Sequence, residues 1–277
     1  LLAERGMTLA EIGNHFGVTP GAVRNALKVA GLPTQSRALL SALPEGCTST
    51  NAEVLRAAAR DIVAWCESEA TDPEPADFAG SERPIFILGP NRSGTTLVDQ
   101  ILGRHPAIAS GGERRWFWFA SSVMGDCSTA AIDLFLRSAR SDAGTEHPWR
   151  QVGARYLKHA DEVAGGARFT DKLLSNVYRV RAIRQALPAA RLIYVKRNPS
   201  AIAWSCWRSQ FDRESAWSGS PEGIALYIAA YRRAMDAWIC RYPDAITTVA
   251  YESLVRAPDQ EIRALLEACG LPDDPAT

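Results

Sequence analysis

No stretch of this 277-residue chain approaches the ~20 consecutive apolar residues of a membrane-spanning helix, so the sequence reads as soluble. The opening Leu1-Leu2-Ala3-Glu4-Arg5 lacks the basic-then-apolar pattern of a secretory leader, and it lacks an initiator Met. The expectation is a chain that begins inside a longer gene product. Charge of one sign is also missing: 31 basic residues balance 31 acidic ones, which argues against a protein that coats nucleic acid. Lysine is scarce, with four beside 27 arginines; two of them, Lys172 and Lys196, fall beside the motifs below. The six cysteines form no C-x-x-C pair, and the four histidines do not cluster with them. That pattern excludes zinc spacing and a disulfide framework and predicts reduced thiols in a cytoplasmic protein. With 47% hydrophobic residues and no triplet glycine repeat, the chain is neither disordered nor collagenous.

Composition divides the chain into three regions: 1–45, short and helical; 46–83, a helix and a polar linker; and 84–277, the main domain. The linker helix is read over 52–70, with Asn51 as N-cap. In the main domain Ile85-Phe86-Ile87-Leu88 reads as a strand buried on both faces, followed by a helix over Thr95–Leu102. Arg191–Val195 is a second such strand with a helix over Ala201–Trp207 behind it, and Ile246–Val249 is a third. An amphipathic helix over Pro258–Cys269 follows, with Gly270 as its cap. Strands alternating with helices predict an α/β fold, a P-loop-type three-layer arrangement with a central parallel sheet and a small all-helical N-terminal appendage.

Between the first strand and its helix lies Gly89-Pro90-Asn91-Arg92-Ser93-Gly94-Thr95-Thr96. Turn amides and a helix N-terminus make such a loop a phosphate site. Against the nucleoside-triphosphatase pattern G-x-x-x-x-G-K-[ST], both glycines and the last Thr match, but Thr95 replaces the lysine that serves the β- and γ-phosphates. Arg92 inside the turn suits a phosphate with a different leaving group.

The run Pro84–Leu97 resembles the 5′-phosphosulfate loop of sulfotransferases that use 3′-phosphoadenosine 5′-phosphosulfate (PAPS). It is most like the branch containing tyrosylprotein sulfotransferases and bacterial tetratricopeptide-fused sulfotransferases. The resemblance continues through His105-Pro106, Gly111-Gly112-Glu113, Thr170-Asp171-Lys172-Leu173, Val195-Lys196-Arg197-Asn198-Pro199 with Ser205, and Tyr251–Val255, in family order over about 84–272.

The resemblance implies a metal-free transfer of a sulfuryl group from PAPS to an acceptor hydroxyl. Arg92 holds the phosphosulfate and stabilises the leaving group, and Ser93, Gly94, Thr95 and Thr96 add backbone and hydroxyl contacts. Glu113 is the implied general base, with Arg114 and Arg115 beside it as cations that weaken it or grip an acidic acceptor. Lys172 is implied near the bridging oxygen. Arg197 and Ser205, eight residues apart, match the pair that grips the 3′-phosphate; Arg208 is a further contact, and Tyr251 resembles a cofactor-contacting tyrosine. Of Trp116-Phe117-Trp118-Phe119, some belong to the core, and one or two are expected at the acceptor cleft. The acceptor class stays open among peptide tyrosine, glycan, lipid and small molecule, and a homodimer is implied by resemblance. Relatives continue past Thr277, so the domain is expected to be truncated at its C-terminus.

Two other readings stand beside this one. A P-loop nucleotide kinase would need ATP and magnesium. The third is a DNA-binding regulator with a nucleotide-sensing α/β domain. Thr8–Glu11 forms a capping box, and Thr19-Pro20 starts a second helix, so residues 8–28 read as a helix-turn-helix with Arg24, Asn25 and Lys28 turned to a major groove.

Overall fold

A computed structural model of the chain describes residues 50–70, 72, 81–124, 128–140, 148–209, 211 and 213–274. The helix-turn-helix-like segment expected within 1–45 lies outside the described residues. The chain divides into two compact units. Of the described residues, 50–57 and 198–230 belong to one, and 58–197 and 231–274 to the other.

The larger unit is built on five parallel strands: β1 (Pro84–Leu88), β2 (Ile108–Ser110), β3 (Arg168–Asp171), β4 (Arg191–Lys196) and β5 (Ile246–Ala250), in the order β2-β3-β1-β4-β5. All five residues of β1 are buried, as its unbroken apolar run requires of a central strand. Its register pairs Phe86 with Asp171 of β3 and Leu88 with Tyr194 of β4. The first helix of the chain's described part, α1 (Thr50–Glu67), is followed by α2 (Thr95–Leu102), α3 (Trp116–Ala120), α4 (Thr129–Arg140), α5 (Pro148–Ala164), α6 (Val180–Ala186), α7 (Pro199–Arg208), α8 (Pro221–Arg241), α9 (Tyr251–Arg256) and α10 (Pro258–Ala268).

The strand order dictates which helix covers which face. The chain moves one way across the sheet from β1 to β2, and the other way in every later step. Right-handed crossovers therefore send the first connection to one face and the later ones to the opposite face. The packing agrees. Ile85, Ile87, Ile193, Val195 and Val249 meet Val98 and Leu102 of α2, Leu254 of α9, and Leu265 and Leu266 of α10. On the other face Phe86 stacks on Tyr156 of α5 and meets Phe117 of α3 edge-on. The connection leaving β1 and those leaving its neighbours thus part to opposite faces. The carboxyl end of β1 is therefore a topological switch point, which is where ligands bind in open α/β sheets.

The strand expectations hold within a residue for β1, β4 and β5. The α2 expectation holds over Thr95–Leu102, and α10 closes at Gly270 (φ 65), whose amide and that of Leu271 bond back to Glu267 and Leu266. The residues of α1 in the larger unit are clamped by charge. Trp65 lies under Arg181 (4.2 Å) and Arg241 (4.9 Å). Buried Arg181 in turn bonds Asp72 at 2.8 Å and Asp133 at 2.6 Å. In the smaller unit, Asn198 caps α7 by accepting from the Ser200 and Ala201 amides, with Pro199 in the first turn. Trp217 stacks on Tyr227 there at 3.9 Å. None of the described helices is long and apolar enough to cross a membrane.

Candidate functional site

The loop after β1 is tightly specified. The Pro90 carbonyl accepts from the Ser93 amide at 3.0 Å, which closes the turn. Arg92 has φ 67, the one left-handed non-glycine backbone among the described residues. Such a conformation costs about 1 kcal/mol or more and is kept where the surroundings over-determine it. Gly94 (φ 105) is the N-cap of α2, and no side chain caps that helix. A Cβ at Gly94 would lie 2.3 Å from the Tyr251 ring, so only glycine lets the loop seat against it. Arg197 then lies over the same ring, 4.1 Å from its centroid, and its Nη1 donates to the Arg92 carbonyl at 2.8 Å.

Arg92, Ser93, Gly94, Thr95, Arg197 and Tyr251 are thus brought together at the end of β1. Thr95 is buried; Thr96, one residue on, is exposed. Two buried polar atoms there have no hydrogen-bond partner, Ser93 Oγ and Arg197 Nε. Buried polar groups in folded proteins are nearly always satisfied, so these two are donors that fit an anion. With the uncapped amides of α2 beside them, the residues present suit a phosphate ester.

A second cluster forms at the carboxyl end of β3. Buried Lys172 is ion-paired with half-exposed Glu113, and the Gly112 carbonyl accepts from the Lys172 amide at 2.9 Å. The cation on Glu113 is therefore Lys172; Arg114 lies instead 5.8 Å from the Trp116 ring. Below the pair, the Asp171 carboxylate accepts from Tyr156 Oη (3.2 Å), the Leu173 amide (3.1 Å) and Asn176 Nδ2 (3.0 Å). Burial pushes the Asp171 carboxyl up to about 7 against the pull of those bonds, and the nearby Asp99 adds to the rise. Asp99 itself joins the strand ends by accepting from Thr170 and from Ser110 (3.0 Å). Gly111 lies so close to the Thr170 carbonyl that a Cβ would meet it at 2.2 Å. That contact sets where the chain turns toward Glu113.

Ser205 and Arg208 sit on α7 in the smaller unit, where Arg208 lies 5.9 Å from the Trp204 ring and the Ser205 carbonyl accepts from Ser209. Of the four aromatics after Glu113, Trp116 and Phe117 are core, while Trp118 and Phe119 are 43% and 54% exposed. Phe119 meets His159 of α5. His105 is structural: its Nδ1 accepts from the Ala107 amide, so Nε2 donates to the Pro272 carbonyl at 3.2 Å. Among the described residues no group of three His, Cys, Asp or Glu side chains is placed to hold a metal. Sequence reasoning missed Tyr231, buried on α8, which accepts from the Gly89 amide at 2.8 Å and donates to the Leu174 carbonyl at 2.9 Å. No local sequence pattern marks it.

Residues 84–275 match the model of the sulfotransferase family. An uncharacterized protein of Aquifex aeolicus is 31% identical over 201 residues, 69% of this chain; the chain spans 26% of the length of that relative. The sulfotransferase domain of the Synechococcus PCC 7002 olefin synthase is 20% identical with TM-score 0.49, over 74% of this chain and 79% of that one. A sulfotransferase from Mycobacterium avium is 17% identical with TM-score 0.45, over 95% and 84% of the two chains. The family match runs over residues 84–275, across the sheet, the loop and both clusters, and the chain therefore belongs to the sulfotransferase family.

Proposed function

We propose that the chain transfers a sulfuryl group from PAPS to an acceptor hydroxyl, at a site formed by the loop after β1 and the Glu113–Lys172 pair. The observation that carries this reading is the loop itself. It has Thr95 where a triphosphatase has lysine, a left-handed Arg92, and Arg197 clasped to the loop over Tyr251. PAPS supplies an activated sulfuryl group on a phosphate leaving group and a 3′-phosphate handle.

Arg92, the Ser93 hydroxyl and the amides of Gly94, Thr95 and Thr96 hold the 5′ end and meet the charge that grows on the leaving phosphate. Arg197 is a pre-set cation for the 3′-phosphate. Its stacking on Tyr251 and its bond to Arg92 remove the rotamer freedom a free arginine would lose on binding. Glu113 takes the proton of the acceptor hydroxyl as the new S–O bond forms and the S–O bond to phosphate breaks. Lys172 holds that carboxylate in place through their ion pair and presents a cation to the bridging oxygen. Acceptors of this chemistry are peptide tyrosine, glycan, lipid or small-molecule alcohols.

Calorimetric titration with 3′,5′-adenosine bisphosphate, ADP and ATP, with and without magnesium, tests the reading. Metal-independent binding of the bisphosphate, lost in Arg197→Ala, is expected. Preference for ATP with magnesium would overturn it in favour of a kinase.

A further inference from the structure

The two clusters of the site sit on different strands, and something must hold their spacing. β1 carries the phosphate loop and β3 carries Lys172. The two strands pair only as far as Phe86 and Asp171, so the loop and the lysine turn lie beyond the last pair of the ladder. One side chain spans the gap. Tyr231, 1% exposed on α8, uses its single hydroxyl twice. The oxygen accepts from the amide of Gly89, first residue of the loop, and the proton goes to the carbonyl of Leu174, two residues after Lys172.

Gly89 has no slack. A Cβ there would meet Ser93 Oγ at 2.5 Å, Thr95 Cγ2 at 2.8 Å and the Val195 carbonyl at 3.0 Å. A shift of its amide is therefore passed to the loop residues that face the anion. On the other side, Leu174 opens the 3₁₀ segment Leu174–Arg179, and the Leu173 carbonyl accepts from the Asn176 amide. A shift of the Leu174 carbonyl is passed back to the Lys172 turn.

We infer that Tyr231 is a positioning residue for the transfer reaction: its hydroxyl ties the start of the donor loop to the Lys172 turn and so sets the distance between the leaving-group site and the Glu113–Lys172 pair. The inference rests on the proposed function for its catalytic meaning, and on the two hydrogen bonds for its mechanical one. Sulfuryl transfer needs donor and acceptor groups in line, and a misplacement of about 1 Å costs on the order of 100-fold in rate. A loosened tie therefore lowers turnover more than donor affinity, because each half of the site stays locally intact.

The test is Tyr231→Phe in the full chain, with Trp238→Phe as control. Trp238 lies on the same helix, and its single donor, the indole N–H, goes to the Val177 carbonyl of the same 3₁₀ segment. Amide hydrogen exchange is followed over 86–93, 171–177 and the β4 peptide 191–196. In Tyr231→Phe the first two are expected to exchange about 10-fold faster or more, with β4 unchanged; Trp238→Phe speeds 171–177 alone. In turnover of PAPS with p-nitrophenol as acceptor, kcat is expected to fall about 10-fold or more, while the dissociation constant of 3′,5′-adenosine bisphosphate stays within about threefold. Acceleration of only one segment in Tyr231→Phe, acceleration of all three alike, or equal losses in binding and turnover would overturn the inference. If that variant does not fold, exchange of the unaltered protein in low urea decides it: the Gly89 and Asn176 amides are expected to open with one denaturant dependence, and separate dependences would refute the tie. Wild-type protein that ignores the bisphosphate would remove the donor reading, and the exchange data would still judge the tie.

Discussion

Replacing Asp171 with asparagine should make the protein more stable at neutral pH, with an advantage that shrinks steadily toward pH ~4. The carboxyl is fully buried at the end of β3, and burial pushes it up to about 7. Unfolded, the same group ionises near pH 4. The native state thus holds a proton that the unfolded state gives up between these limits, and stability falls as pH rises through that window. The contribution is fully present below pH ~4 and is lost as pH passes about 7. Each unit in the window is worth ~1.4 kcal/mol, so the two units between pH 5 and 7 amount to on the order of 2–3 kcal/mol. Asparagine fits the same partners without charge. Its oxygen can take the Leu173 and Asn176 donors, and its amide can donate to the Tyr156 oxygen. Urea unfolding of both proteins at pH 5, 6, 7 and 8, followed by tryptophan fluorescence, measures the difference. The advantage of Asp171→Asn should grow by on the order of 2–3 kcal/mol from pH 5 to 8. A difference that is constant with pH, or that shrinks, would rule out a buried Asp171 carboxyl that holds its proton to about pH 7.

Other outcomes follow from the same geometry. Arg92→Gly should be more stable than Arg92→Ala by about 1 kcal/mol in thermal unfolding, because only glycine adopts φ 67 without strain; equal stabilities would contradict a left-handed loop. Gly94→Ala drives a methyl into the Tyr251 ring, so it should abolish calorimetric binding of 3′,5′-adenosine bisphosphate. Arg181→Ala strips partly buried Asp72 of its cation and should cost about 3 kcal/mol in urea unfolding, far more than loss of an exposed pair such as Arg263–Asp273.

The parts of this fold that were readable from sequence are those whose neighbours in sequence are also their neighbours in space. β1, its loop and α2 form one continuous unit: an apolar run, a turn with Gly89 and Gly94, then an apolar period, all within Pro84–Leu102. β4 reads equally well, while the helix expected over Ala201–Trp207 behind it begins two residues earlier, where Asn198 caps it. β2 and β3 do not read this way. Three and four residues long, they carry no period of their own and become strands because Ala109 and Phe169 find each other's backbone. The Thr170-Asp171-Lys172 motif is visible, but sequence adjacency points to Arg114 and Arg115 as the cations beside Glu113, while the ion pair forms with Lys172, 59 residues away. Tyr231 left no trace, because the groups it satisfies are 57 and 142 residues distant and one of them is a backbone amide. Asp99 is similar: on α2 it reads as the polar side of a helix, yet it is buried against Thr170 and Ser110.

Group transfer from PAPS with Glu113 as the base is the reaction proposed for this site. The direct measurement incubates the full chain with sulfur-35-labelled PAPS and an acceptor panel of a tyrosyl peptide, a phenol, a sugar and an aliphatic alcohol. Label should pass to an acceptor in amounts equal to the 3′,5′-adenosine bisphosphate released. Glu113→Gln should lower that transfer by about 100-fold or more, with bisphosphate affinity preserved. Full transfer by Glu113→Gln, or binding of the bisphosphate without transfer to any of the four acceptor classes, would contradict the account.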